Sequence, residues 1–264
     1  MLQSIATKTI RDGRRSLMWW SIGLGSLAAF TVLFYPAIKQ IPELDELLQG
    51  LPDALLRLIG DSELLSPEGY LNSQLYGAIV PLVLMFYGLA AGAGAVAGEE
   101  ENRTLDLLLA NPVARWRIVV EKALAMVVGL VVITAVLWIA VYLPAVLVDM
   151  DLDPVNLVAV QLSAALFGFF MGCLGLAIGS ATGSRGLAIG LGAAIGIASY
   201  LVNSLAPLVE QLEALQKLSP FFYYYGADPL RNGLDLADAA VLMVGGLVLV
   251  LVAVVGFRRR DVGV

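Results

Sequence analysis

The densest set of ionisable side chains bordering an apolar run is Glu99, Glu100 and Glu101, followed closely by Arg103, Asp106, Arg115, Arg117, Glu121 and Lys122. What this set can do is narrowed by what the chain lacks. The 264 residues include no histidine, which removes imidazole metal sites, Ser-His and Cys-His nucleophile pairs and the usual near-neutral proton switch. The single cysteine, Cys173, has no partner for an intrachain disulfide. No Gly-x-x-x-x-Gly-Lys-Ser/Thr run is present to cradle a phosphate. The roles left to segment 99–122 are ion pairing and the gripping of a partner.

The elements that must position this segment follow from composition. The chain is 59% hydrophobic and only 14% charged, with a mean hydropathy of +0.84, unlike a water-soluble globule, in which about a quarter of residues are charged. A net charge of -6 leaves no broad basic surface for nucleic acid. Six intervals carry no charged residue: 16–38, 69–98, 123–148, 154–184, 186–209 and 239–257. A helix of about 20 residues, rising 1.5 Å each, crosses a hydrocarbon core about 30 Å thick. These runs are too long and too continuously apolar for barrel strands. The expected fold is all-α: one polytopic transmembrane domain over 1–264 with six membrane helices.

Lysine and arginine positions set the expected orientation. With the N-terminus inside, Lys8, Arg11, Arg14, Arg15, Arg103, Arg115, Arg117, Lys122, Arg185, Arg258, Arg259 and Arg260 lie on the cytoplasmic side. Only Lys39, Arg57, Lys217 and Arg231 lie outside, a positive-inside bias that predicts both termini in the cytoplasm. The run Leu17 to Tyr35 is longer than a signal-peptide core, and no small-residue cleavage pattern follows it before Lys39, so the first span is expected to be uncleaved.

The connections are unequal. Residues 1–15 read as an amphipathic segment on the inner surface, and 258–264 as a short inner tail. Outside, 39–68 carries Ile41, Leu44, Leu48, Leu51, Leu55 and Leu58 near helical spacing, broken by Pro42 and Pro52, and predicts one or two amphipathic helices. The outer loop 208–237 ends in the aromatic run Phe221, Phe222, Tyr223, Tyr224 and Tyr225, which reads first as a set of interface anchors. Inside, 99–122 is the one substantial connection. Leu105, Leu108 and Leu109 share a helix face, Asn111 suits an N-cap and Pro112 the first position of the next helix. At this level an ordinary charged hairpin and a partner-gripping corner are equally open.

No Asp, Glu, Lys or Arg sits inside any of the six intervals, where a mid-membrane charge costs about 2.5–3.5 kcal/mol. Ion-coupled carriers accept that cost, so active transport here is expected to be driven from outside the chain. Glycines four apart in the second, fourth and fifth spans predict close helix packing, chiefly within one subunit. Phe86, Tyr87, Phe167, Tyr200 and Asn203 are candidates for a substrate pathway, with packing the competing reading for the aromatics.

The run Thr104-Leu105-Asp106-Leu107-Leu108-Leu109, then Pro112-Val113 and Arg115, after a glycine-rich span ending in Gly98-Glu99-Glu100-Glu101, resembles the first cytoplasmic loop of type-2 ABC exporter permeases. Leu218-Ser219-Pro220-Phe221 and Asp228-Pro229-Leu230 resemble the segment before that family's last span, and length and span number agree. One departure is Arg103, where the family often has glycine.

The resemblance implies the permease subunit of an ABC exporter in the plasma (inner) membrane of a prokaryote, moving a hydrophobic or amphipathic compound. It implies no catalytic site, metal or cofactor on this chain, with ATP and Mg carried by two copies of a separate ATPase and a second, identical permease completing the unit. The cytoplasmic coupling hairpin it implies is 99–117, and the coupling set is Glu99, Glu100, Glu101, Arg103, Thr104, Leu105, Asp106, Leu108, Leu109, Pro112, Arg115 and Arg185. The rival classes are a partner-recruiting membrane scaffold or sensor and an uncoupled carrier for a neutral solute.

Overall fold

The computed structural model describes residues 4–39, 66–105, 113–208 and 213–260. The expected amphipathic helices of the 39–68 loop and the candidates Asp106, Leu108, Leu109 and Pro112 lie almost wholly outside the described residues. Helices are α1 Ile5–Lys39, α2 Pro67–Leu71, α3 Ile79–Glu101, α4 Arg115–Leu147, α5 Pro154–Thr182, α6 Arg185–Leu205, α7 Glu213–Gln216, α8 Pro220–Tyr225, α9 Pro229–Asn232 and α10 Leu236–Arg259. Among the described residues, six helical segments are long and apolar enough to cross a membrane: α1, the stretch Pro67–Glu101, α4, α5, α6 and α10.

Helix α5 is the most buried of the six, and α3, α4, α6 and α10 all pack on it, while α1 lies along α4. The parallel pair α3 and α5 makes the closest approach. A Cβ at Gly92 would collide with the Gly172 carbonyl, and one at Gly175 would lie 2.9 Å from the Leu89 carbonyl oxygen. The backbones themselves touch. In lipid, where apolar burial drives association weakly, such contact holds helices together. Gly186 and Gly190 of α6, by contrast, have nothing within 4 Å.

At the end away from the termini, the second span is broken. Ser66 caps α2 by accepting from the Gly69 N–H at 3.1 Å, a π-helical turn spans Asn72–Tyr76, and α3 restarts at Ile79 with Pro81 in its first turn. The Tyr76 carbonyl accepts from the Tyr224 hydroxyl at 2.8 Å, and Gln161 Nε2 donates to the Tyr76 hydroxyl at 2.8 Å. Burial pushes the Tyr224 phenol well above its ordinary pKa, so it stays a donor. Asn72 Nδ2 donates to Asp228 at 2.9 Å, and Asn156 Nδ2 to the Arg231 carbonyl at 2.9 Å. Together these bonds fasten the α8–α9 segment into the bundle.

Three expectations change. Phe221 and Tyr224 are buried against Phe167 rather than anchored at an interface, because Ser219 caps α8 with Pro220 at its start and the three-residue spacing turns both rings inward. Residues 5–15 continue the first span as one unbroken helix. The third span begins at Arg115, not Pro112: Val113 and Ala114 are non-helical, and the Arg115 side chain is tied to the end of α10.

Gly92→Val should cost about 3 kcal/mol or more through forced separation of α3 and α5, seen as loss of monodisperse protein on size-exclusion chromatography. Gly190→Ala should behave as the unmodified chain.

Candidate functional site

The end of the bundle that carries both termini is organised by the close of α3. There the chain forms a Schellman turn: Thr104 N–H donates to the Glu99 carbonyl at 2.8 Å and Arg103 N–H to the Glu100 carbonyl at 3.0 Å. The residue that must then be left-handed is Arg103, with φ of 55°. A side chain in that region costs about 1–2 kcal/mol, which is why glycine usually stands at such positions. Arg103 thus adopts the backbone conformation a glycine would take.

Successive residues on a helix point about 100° apart, so three glutamates in a row reach three directions. Glu99 accepts from Lys122 of α4 at 2.5 Å and also bonds the Thr104 hydroxyl. Glu100 pairs with Arg260 at the end of α10. Glu101 accepts from the backbone N–H of Arg185 at 2.9 Å, the first residue of α6. A carboxylate is well placed at a helix N-terminus, where unpaired N–H groups point outward. What reads as a solvated helix end in the sequence is a junction of four helices.

Further ties close the junction. Arg115 donates to the carbonyls of Phe257 at 3.3 Å and Arg260 at 3.0 Å, covering the open end of α10, and lies 5.6 Å from the Phe257 ring centre. Glu121 accepts from the Ala6 N–H at 3.1 Å and pairs with Arg117 at 2.6 Å, bringing in α1. Beneath lies an apolar plug of Val96, Leu105, Ile118, Val119 and Phe257. Leu105 is buried in this plug, so it faces the chain's own core rather than a partner.

Beside the junction a cavity of about 610 Å³ opens between α1, α3 and α4, lined by Lys8, Trp20, Tyr87, Glu99, Lys122 and Arg185 among others. Of the pathway candidates only Tyr87 lines it, edge-on to Trp20 at 6.1 Å. Phe86 is exposed on the bundle surface and Phe167 is fully buried. Tyr200 meets Phe221 edge-on at 5.3 Å, and Asn203 Oδ1 accepts from Gln216 at 3.3 Å, both in the opposite half of the molecule. Lys122 and Arg260 escaped the sequence reading because each reads there only as a topological basic residue; their spacing from apolar intervals marks an end, not a partner.

Six helices long and apolar enough to cross a membrane, most of them tied together at one end by partly buried charges, define a polytopic membrane protein. The chain belongs to the ABC-2 family transporter proteins, whose family model matches residues 3–262. No curated protein sequence matches it. It is therefore a permease component of an ABC transporter, a family whose members normally pair with an ABC ATPase subunit.

Two outcomes follow from the junction. Glu99→Gln leaves Lys122 buried without its counter-charge and should lower stability by about 3 kcal/mol in thermal unfolding, with Glu99→Gln/Lys122→Gln recovering most of it. Arg103→Gly should raise stability by about 0.5–1 kcal/mol, relief of left-handed strain outweighing glycine's extra unfolded-state entropy, whereas Arg103→Ala should give no gain.

Proposed function

We propose that this chain is the membrane-spanning subunit of an ATP-driven exporter of the prokaryotic plasma membrane, working as two copies with two ATPase subunits that carry ATP and Mg. The observation that carries this reading is the junction itself: Glu99, Glu100 and Glu101 each bind a different helix at the point where the corner 102–114 joins the bundle. A push on that corner reaches α3, α4, α6 and α10 together. The excess of lysine and arginine at this end supports its placement in the cytoplasm, where an ATPase would stand.

In this reading Arg103, Asp106, Leu108 and Leu109 contact the ATPase, Thr104 and Pro112 shape the corner, and Glu99, Glu100, Glu101, Arg115 and Arg185 transmit its displacement. The ATPase favours one permease state when it holds ATP and the other when it does not, and that difference drives alternating access. The uncharged spans support a hydrophobic or amphipathic cargo, since nothing in them is suited to carrying a fixed ion.

Leu108→Asp should leave membrane insertion intact and abolish co-purification of the ATPase with the permease. Normal cargo-stimulated hydrolysis by that variant in proteoliposomes would overturn the reading. Transport without any ATPase would establish the uncoupled carrier, and partner binding with no transport under any condition the scaffold.

A further inference from the structure

The cavity beside the junction has a neighbour on the far side of Trp20. A second, almost wholly apolar groove of about 440 Å³ runs along α1, and Ser16 and Trp20 line both. Its walls are Trp19, Gly23, Leu24 and Leu27 of α1 and Val83 of α3. From Ser16 to Leu27 the helix rises about 16 Å at 1.5 Å per residue, and one leaflet of a 30 Å hydrocarbon core is about 15 Å deep. The groove thus has the length of one acyl chain.

The charged mouth has a definite sign. Lys122 and Glu99 cancel each other as a pair. The exposed side chains of Lys8 and Arg185 line the same cavity, and neither side chain has a hydrogen bond or ion pair among the described residues, although Lys8 also lies within electrostatic reach of Glu99. Arg185 extends beside Gly94 and Gly98, where even an added Cβ would stay 3.8 Å from it, so its side chain lies along the cavity wall. Asp12 is the one other acid there, and it is exposed. Three cations, Lys8, Lys122 and Arg185, against two acids, Glu99 and Asp12, leave a net positive charge at the head of an acyl-length groove, the complement of an anionic amphipath.

We propose that these adjoining pockets together form a cleft that binds one anionic phospholipid of the leaflet on the terminal side of the bundle, its phosphate between Lys8 and Arg185 and one acyl chain along Trp20, Leu24 and Leu27. The assignment of that leaflet to the cytoplasmic face rests on the orientation proposed above; the site itself does not. Guanidinium and ammonium donors supply charge-assisted bonds to phosphate oxygens, and a zwitterionic lipid gains less because its own choline or ethanolamine group opposes the same two cations. The basic residues Arg11, Arg14 and Arg15, exposed between Lys8 and Ser16 on α1, attract anionic lipid generally but are not in the cleft's lining.

The test is lipid binding by the purified full-length chain, with no ATPase or cargo, so its result is independent of the transport reading. Trp19→Phe/Trp116→Phe/Trp138→Phe leaves Trp20 as the sole indole in detergent micelles. Dibrominated phosphatidylglycerol should quench Trp20 to saturation at about tenfold lower concentration than dibrominated phosphatidylcholine. Adding Lys8→Ala/Arg185→Ala should bring the two lipids within about twofold, while Arg14→Ala/Arg15→Ala should keep the preference. Equal quenching by both lipids in the parent protein would overturn the proposal, as would a preference that survives Lys8→Ala/Arg185→Ala or vanishes with Arg14→Ala/Arg15→Ala. Water-soluble glycerophosphoglycerol should fail to relieve the quenching; relief at the lipid's own concentration would assign the cleft to a free anion and overturn it too.

Discussion

Everything in this bundle depends on the backbone contact between α3 and α5. Lipid tails are as apolar as leucine, so helices in a membrane gain little by hiding greasy surface from their surroundings; they gain by close packing. Gly88 and Gly92 against Gly168 and Gly172 permit that packing, and the parallel course of the two helices fixes what lies at each end. At one end the pair sets Glu99–Glu101 beside Arg185. At the other it sets Tyr76 beside Gln161 and leaves room for Tyr224.

The two ends solve different problems. The end without termini is fastened mostly by hydrogen bonds of uncharged donors, several of them to backbone carbonyls and one to the Asp228 carboxylate, around a break in the second span. The terminal end is fastened by charges placed just beyond the apolar intervals, where desolvation is partial and ion pairs can form without the penalty of mid-membrane burial. Lys122 shows the limit of this economy: it is nearly buried, and only Glu99 makes its burial tolerable.

The six spans and their approximate limits were legible in the sequence, because an uncharged run of twenty residues has few other uses and a charge run at its end is a local signal. Less legible were facts that depend on which helix lies beside which. Phe221 and Tyr224 carry the composition of an interface belt, and only the turn at Ser219-Pro220 directs them into the core. Asn111-Pro112 has the chemistry of a helix start, yet Arg115, held by the end of α10 from 142 residues away, fixes the start of regular helix. The roles of Glu100 and Arg260 lay 160 residues apart, beyond any local pattern. Arg103 was visible as a departure from the family, but its cost became apparent only in its dihedral angle.

The connection between α5 and α6 has a mechanical corollary. Only Gly183, with φ of 70°, and Ser184 separate the two helices; Ser184 accepts from the Leu187 N–H at 3.3 Å, and Glu101 grips the first N–H of α6. Beyond that elbow α6 is the least buried of the six spans. It resembles a mast stepped at its foot: any tilt pivots on the elbow, and displacement grows along its roughly 30 Å to become largest at the far tip, beside Asn203 and Gln216.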